Sequence, residues 1–180
     1  MKRFVALPRG INVGSAKRVA MAQLRRLLEE GLGFAHARTL LNSGNVVFDA
    51  SVGTPKAHAQ AIHQALAKTL GVDAQVVVKS AAEIERAIVQ NPLLHVADNA
   101  SRLMLVFVQQ PVILLELRAL AAQDWAAEAL AVGKECAYMW LPEGVIDSPL
   151  AKAVNRVLGE RATVRNWATV LKLQALLQRD

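Results

Sequence analysis

Apolar positions along the first half of the chain predict alternating strands and helices. An apolar strand spans residues 3–7, and apolar residues at helical spacing then mark an amphipathic helix that ends at Gly31 or Gly33. Two further strands flank the polar segment 42–45, whose glycine is typical of a hairpin turn. A helix over 54–71, another strand and a capped helix complete the order β-α-β-β-α-β-α.

The second half of the chain repeats this order. It begins with an apolar strand at 103–108 and a helix at 112–122, which a hairpin over 128–141 follows. A helix over 148–159 comes next, and after a short strand the side chain of Asn166 caps a final helix. Both halves therefore carry the same seven predicted elements.

This repetition predicts an α+β fold of two tandem ferredoxin-like β-α-β-β-α-β units packed into one compact protein, each followed by a helix. The predicted units are 1–92, which contains a glycine loop, and 93–180. In such a unit the first and second strands run in the same direction. The loop after the first strand therefore lies at the same end of the sheet as the hairpin between the second and third strands.

Composition limits the class of protein and its compartment. A chain of 180 residues with 53% hydrophobic residues buries a sizeable core without disulfides or metals, and its single cysteine, Cys136, excludes an internal disulfide. The sequence has no apolar run long enough for a membrane span and no signal-peptide pattern at its start. We expect a cytoplasmic protein without a membrane partner.

The positive charge is concentrated in the first half. Residues 1–90 contain 12 Lys and Arg against 6 Asp and Glu, whereas residues 91–180 contain 9 of each. The first 26 residues carry seven cations, and the first acidic residue is Glu29. This asymmetry favours an anionic partner for the first half, although a basic surface also serves solubility alone.

The segment after the first strand is the strongest candidate for ligand binding. Glycines there free the backbone, and cations surround them, as in loops that bind phosphate. Its spacing matches neither a P-loop nor a dinucleotide fingerprint, so a tight loop with solvated cations is the alternative. The predicted ligand-binding residues, including the neighbouring hairpin, are Arg9, Gly10, Asn12, Gly14, Lys17, Arg18, Ser43, Gly44 and Asn45. A nucleotide, a nucleic acid or another phosphate ligand is the partner they predict.

A secondary cluster is predicted at one end of the second unit. A guanidinium, an amide and a large ring there are suited to stacking on a base or another planar ligand. The alternative assigns the asparagine to a helix cap and the tryptophan to packing. The residues of this cluster are Glu143, Ser148, Arg165, Asn166 and Trp167.

Catalytic residues and cofactors stay unassigned at this level. The spacing of His58 and His63 does not place them on one helical face, so no metal site is predicted, and Cys136 lies in an apolar strand as a buried thiol. An enzyme acting on a small phosphorylated or acidic metabolite through Ser43, Asn45, Glu143 or Asp147 is one alternative function. A regulatory or assembly module using exposed strand edges is another, and the oligomeric state stays open.

Four motifs resemble a bacterial family known as domain of unknown function 1697. They are Arg-Gly-x-Asn-Val-Gly at 9–14, Ser-Gly-Asn-Val-Val-Phe at 43–48, Trp-Leu-Pro-Glu-Gly at 140–144 and Arg-Asn-Trp-x-Thr-Val at 165–170. The chain departs from the family pattern at Ser15, Asn42 and Ala168, where glycine, glutamine and asparagine are usual. The resemblance implies an α+β fold of two related parts, and it implies no reaction, cofactor or catalytic residue.

Overall fold

The computed structural model describes residues 1–13 and 17–179. It shows a mixed α+β protein with two four-stranded antiparallel sheets and helices. The chain divides into two compact units, one formed by Met1–Ala81 with Lys172–Asp180 and the other by Ala82–Leu171.

The first unit contains the sheet β2-β3-β1-β4, in which every neighbouring pair is antiparallel. Its elements are β1 Lys2–Pro8, α1 Met21–Arg26, a π-helical turn at Leu27–Gly31 that continues α1, β2 Ala35–Leu40, β3 Asn45–Ala50, α2 Pro55–Leu70 and β4 Val76–Ser80. Helix α2 begins and ends as its sequence predicts, since the Thr54 hydroxyl accepts a hydrogen bond from the Ala57 amide and Gly71 ends the helix at φ +65°.

The core of the first unit lies on one face of this sheet. Alternate strand residues such as Phe4 and Phe48 are buried there with α1 and α2, through Leu24 and Leu66 among others. Because side chains alternate across a strand, the odd positions Arg3 and Asp49 belong to the opposite face. This alternation places a paired guanidinium and carboxylate on the face away from that core.

The second unit contains the sheet β6-β7-β5-β8, which has the same connectivity as the first sheet. The remaining elements of the chain are α3 Ala81–Val89, β5 Leu103–Val108, α4 Arg118–Ala121, β6 Ala129–Val132, β7 Cys136–Trp140, α5 Pro149–Leu158, β8 Ala162–Asn166 and α6 Trp167–Leu177. Tyr138 and Trp140 are buried, and so is the Cys136 thiol, as predicted.

One predicted helix is different in the structure. Residues 112–122 form a tight 3-10 helix at Pro111–Leu117 followed by the single turn α4. Proline lacks the N–H for an α-helical hydrogen bond, and the branched Val112 and Ile113 that follow it disfavour α-helix. The helical character was predicted correctly, but its type was wrong over the first two turns.

The prediction divides the chain at 92/93, with a helix at the end of each unit. In the structure these two helices, α3 and the end of α6, belong to the other unit in each case. Helix α3 lies with the second unit, where the Tyr138 hydroxyl donates to the Ala87 carbonyl over 2.7 Å and Arg86 pairs with Glu135 over 2.6 Å. The last residues of α6 lie with the first unit. No local pattern in the sequence carries this information, because it depends on contacts between distant segments.

Within the described residues, no helix is long and apolar enough to cross a membrane.

Candidate functional site

The predicted ligand loop follows β1 directly, and we call residues 9–18 the basic loop. The Arg9 amide donates to the Gln75 carbonyl over 2.8 Å, which holds the start of the loop beside the strand β4. Gly10 then adopts φ +66° and Asn12 adopts φ +55°, so the chain turns sharply after β1. Gly14, the second glycine of the predicted site, lies outside the described residues.

The side chain of Asn12 closes the basic loop from inside. Its amide nitrogen donates to the Val19 carbonyl over 2.8 Å and to the Asn42 carbonyl over 2.7 Å, and its oxygen accepts from the Val19 amide over 2.8 Å. Both N–H groups of the side chain are thus used within the protein. Asn12 therefore helps to position the ends of the loop and the hairpin, and its predicted contact with a ligand stays a prediction.

The hairpin between β2 and β3 packs against the basic loop, as the topology predicts. Gly44 adopts φ +78°, and a Cβ at this position would clash with Cδ1 of the buried Ile11. Only glycine allows this close approach with that backbone conformation. Together with the bond from Asn12 to Asn42, this contact fixes the hairpin beside the loop.

The polar residues of the hairpin also bond within it. The Asn45 amide nitrogen donates to the Leu40 carbonyl over 3.0 Å and to the Ser43 hydroxyl over 2.9 Å. Asn45 is fully buried and begins β3, so the turn occupies residues 41–44, one position earlier than predicted. These bonds give Ser43 and Asn45 a structural role in the turn.

The cations of the basic loop face outward. Lys17 and Arg18 are exposed, and among the described residues neither takes part in an ion pair. Arg9 is partly exposed. Hydrogen bonds therefore tie the described parts of the loop, 9–13 and 17–18, to each other and to their surroundings, and Lys17 and Arg18 are exposed to solvent.

The secondary cluster is gathered at one end of the second sheet, where two of its polar side chains cap helices. The Ser148 hydroxyl accepts from the Ala151 amide over 2.8 Å, and Asn166 Oδ1 accepts from the Thr169 amide over 2.9 Å, so both residues cap helices. Burial lowers the pKa of the Arg165 guanidinium to about 10, and this group donates to the Thr163 hydroxyl. Glu143 is exposed and Trp167 is partly exposed.

A second polar cluster lies in the first unit and was not predicted as a site. Asp49 Oδ1 accepts from Arg3 Nε over 3.0 Å, and Asp49 Oδ2 lies 2.9 Å from His36 Nδ1. Burial alone would raise the pKa of Asp49, but the hydrogen bonds from His36 and Arg3 outweigh it and hold that pKa below its usual value. With Arg38, these residues line a cleft of about 520 Å³.

The backbone of β2 is irregular where it forms this cleft. Its register shifts between Ala35 and Arg38, where three steps along β2 oppose two along β3, which is a β-bulge. His36 within the bulge adopts φ +53°, a strained conformation for a residue with a side chain. The Glu29 carboxylate accepts from the Ala37 amide over 3.0 Å and so satisfies a bulge donor.

Two arginines connect the cleft to the end of α6. Arg3 Nη1 donates to the carbonyls of Leu177 and Arg179, and Arg38 Nη2 donates to those of Leu176 and Arg179 over 3.0 Å each. Carbonyls at a helix C-terminus have no intrahelical partner and carry partial negative charge. The two guanidinium groups satisfy them and hold the end of α6 against the cleft.

The sequence contained a partial signal for this cleft. Asp49 interrupts the apolar run of β3, and the register of β1 with β3 places Arg3 opposite it. The bulge that adds His36 has no comparable signature. Among the described residues, no group of three or more His, Cys, Asp or Glu side chains is arranged to hold a metal ion.

Comparison with known proteins adds a family and a fold. The sequence model of the family described as "Protein of unknown function (DUF1697)" matches residues 1–138. The chain is similar in structure to the conserved bacterial protein SP0830 from Streptococcus pneumoniae, with a TM-score of 0.79, 23% identity, and coverage of 98% of this chain and 99% of that chain. The search of curated proteins found no match.

Proposed function

Because this chain belongs to the DUF1697 family, whose description names no activity, we propose its function from its own residues: it binds a phosphate-bearing ligand, a nucleotide or a nucleic acid, at the basic loop. The observation that carries the proposal is the internal closure of the loop by Asn12 beside the outward-facing Lys17 and Arg18. The segments on either side, 9–13 and 17–19, are held by hydrogen bonds, and segments already held in place lose little conformational entropy when they bind a ligand.

The charge distribution supports an anionic ligand. No acidic residue precedes Glu29, so the basic loop has no neighbour of opposite charge in its own segment. Charged N–H donors bind phosphate oxygens with shorter and stronger hydrogen bonds than neutral donors. The exposed Gly10 leaves room for a ligand to approach the backbone, because a Cβ there would meet no atom within 4 Å.

We also propose how the fold arose and where in the cell the protein is located. The matching strand orders β2-β3-β1-β4 and β6-β7-β5-β8 support two ferredoxin-like units that arose by duplication. A cytoplasmic location agrees with the single buried cysteine and with nucleotides or nucleic acids as ligands.

Charge reversal in the basic loop tests the proposal. We expect Lys17→Glu combined with Arg18→Glu to weaken binding of pyrophosphate or ATP by about tenfold or more, because each hydrogen bond to a charged group contributes about 1.5–3 kcal/mol. Isothermal titration calorimetry measures the change. The matched control is Lys56→Glu with Lys68→Glu, which changes the net charge equally at exposed positions of α2. Equal affinity in the two double variants would contradict the proposal.

Salt dependence separates the two kinds of ligand. A nucleic acid releases counterions when it binds, so its affinity falls steeply as the salt concentration rises. Loss of one phosphate contact reduces the slope of log K against log salt concentration by about one. A nucleotide that saturates one site raises the melting temperature by mass action instead. Fluorescence anisotropy with a labelled single-stranded DNA and thermal denaturation with ATP distinguish these outcomes.

A further inference from the structure

We propose that the cleft formed by Arg3, His36, Arg38 and Asp49 is a second site, with catalytic chemistry: His36 Nε2 accepts a proton from a small substrate that carries a phosphate or carboxylate group. The site is separate from the basic loop. Asp49 and the start of the hairpin are four residues apart on β3, which corresponds to about 13 Å along the strand.

The hydrogen bonding of Asp49 determines which nitrogen of His36 is available. The carboxylate of Asp49 is ionised at neutral pH, since its pKa lies below the usual value, and an ionised carboxylate only accepts hydrogen bonds. His36 Nδ1 must therefore donate to Asp49 Oδ2, at 2.9 Å. In neutral His36 the lone pair is then on Nε2, the nitrogen that a general base uses in a His–Asp pair.

The exposure of the two side chains suits a role for His36 as the base and for Asp49 as the residue that orients it. The carboxylate-bearing side chain of Asp49 is only 10% exposed, so it is held firmly, whereas that of His36 is 67% exposed. No described residue bonds to His36 Nε2. A firmly held acid behind an accessible imidazole is the arrangement that orients a catalytic base.

The bulge in β2 turns His36 toward the cleft. The end of α6 is held by Arg3 and Arg38, and Asp49 also pairs with Arg3. His36 adopts φ +53° within the bulge, in the left-handed region where histidine is enriched. Bulges often redirect a side chain next to an active site, and His36 lines the cleft here.

The walls of the cleft indicate an anionic substrate. Asp49 pairs with Arg3, and among the described residues Arg38 takes part in no ion pair. Arg38 Nη2 bonds to the end of α6, whereas Nη1 donates to no described residue. Charged N–H donors bind phosphate and carboxylate oxygens strongly, so an anionic group in the cleft is a fitting partner for this guanidinium.

The proposed step balances without a further reactant. The O–H bond of a substrate hydroxyl breaks, its electron pair stays on oxygen, and an N–H bond forms at His36 Nε2. The resulting imidazolium is stabilised by the Asp49 carboxylate and returns the proton to an oxygen of the substrate or to solvent. Asp49 is the positioning residue in this scheme, and Arg38 binds the anionic group.

Acylation by diethyl pyrocarbonate tests the proposed lone pair on Nε2. The reagent modifies neutral imidazole, and mass spectrometry reports the rate at each histidine. We expect His36 to react several-fold faster than the exposed His95, and Asp49→Asn to remove that difference. A His36 rate no higher than that of His95, or one unchanged by Asp49→Asn in a protein that melts cooperatively, would overturn the proposal.

Protection by inorganic phosphate tests the substrate class. Millimolar phosphate should slow acylation of His36 but not of His95, and Arg38→Gln should reduce this protection. The experiment is repeated in the Lys17→Glu, Arg18→Glu protein, where protection should persist if the two sites are independent. Absence of protection in the unmodified protein would exclude an anion-binding cleft, whatever the result at the basic loop.

Discussion

At the scale of single residues, Asn12 shows why the glycine loop has its shape. Three hydrogen bonds of 2.7–2.8 Å join its side chain to the backbone of Val19, just after the loop, and to the Asn42 carbonyl in the hairpin. Asn12 also occupies the left-handed region at φ +55°, which asparagine tolerates better than most residues. The residue thus fits both the bonds and the backbone.

Removing this side chain should destabilise the protein. We expect Asn12→Ala to lower the free energy of unfolding by about 1–3 kcal/mol, because it leaves backbone groups of Val19 without partners. Urea denaturation measures the change. Asn42→Ala is the matched control, since its backbone carbonyl, which the mutation retains, is what bonds to Asn12. Equal losses in the two variants would show that Asn12 does not close the loop.

Two glycines with similar φ allow a second test. Gly10→Ala introduces only backbone strain of about 1 kcal/mol, because a Cβ there meets open space. Gly44→Ala adds a clash with Ile11, so we expect a further loss of about 1–3 kcal/mol. In the Gly44→Ala protein, Ile11→Val should cost less than it does alone, because it removes the clashing Cδ1. Additive losses in this cycle would contradict the packing we describe.

At the scale of elements, the sequence predicted the order of strands and helices because each carries local signals. Thr54, Ser148 and Asn166 cap helices as expected, and the topology placed the basic loop beside the hairpin. The cleft was missed because it depends on a bulge in β2 and on bonds between Arg38 and Leu176, far apart in sequence. Hydrophobic periodicity contains neither signal.

The pairing of β1, β2 and β3 through Asp49 predicts a pH dependence of stability. The pKa of Asp49 is lower in the folded protein than its usual value of 3.8, so in acid the unfolded chain binds the proton first. The stabilisation is complete above about pH 4 and is lost as the pH falls through the folded pKa. The stability difference between wild type and Asp49→Asn should therefore shrink on acidification.

Urea denaturation at a series of acidic pH values measures this difference. Asp98→Asn is the control for removing one carboxylate, because Asp98 is exposed on the second unit. A difference between wild type and Asp49→Asn that is constant with pH would show that the pairs with Arg3 and His36 do not favour the ionised carboxylate.

At the scale of the whole molecule, the two sheets share a strand order but the two halves of the chain differ in net charge. The two sheets have the same strand order, whereas the net charge of +6 arises within the first 90 residues. The element pattern made the repeat visible in the sequence, but the grouping of α3 and of the end of α6 required the structure. The basic loop belongs to the first unit, so the ligand binding that we propose uses the part of the chain with the larger positive charge.

Nuclear magnetic resonance tests the central claim, binding of phosphate at the basic loop, most directly. The account predicts that titration of ¹⁵N-labelled protein with pyrophosphate shifts the amide signals of residues 10–18 and of Ser43 and Gly44 in a saturable manner. The shifts should be lost in the Lys17→Glu, Arg18→Glu protein and kept in the Lys56→Glu, Lys68→Glu control. Saturable shifts confined to other residues, or none at millimolar pyrophosphate, would contradict it.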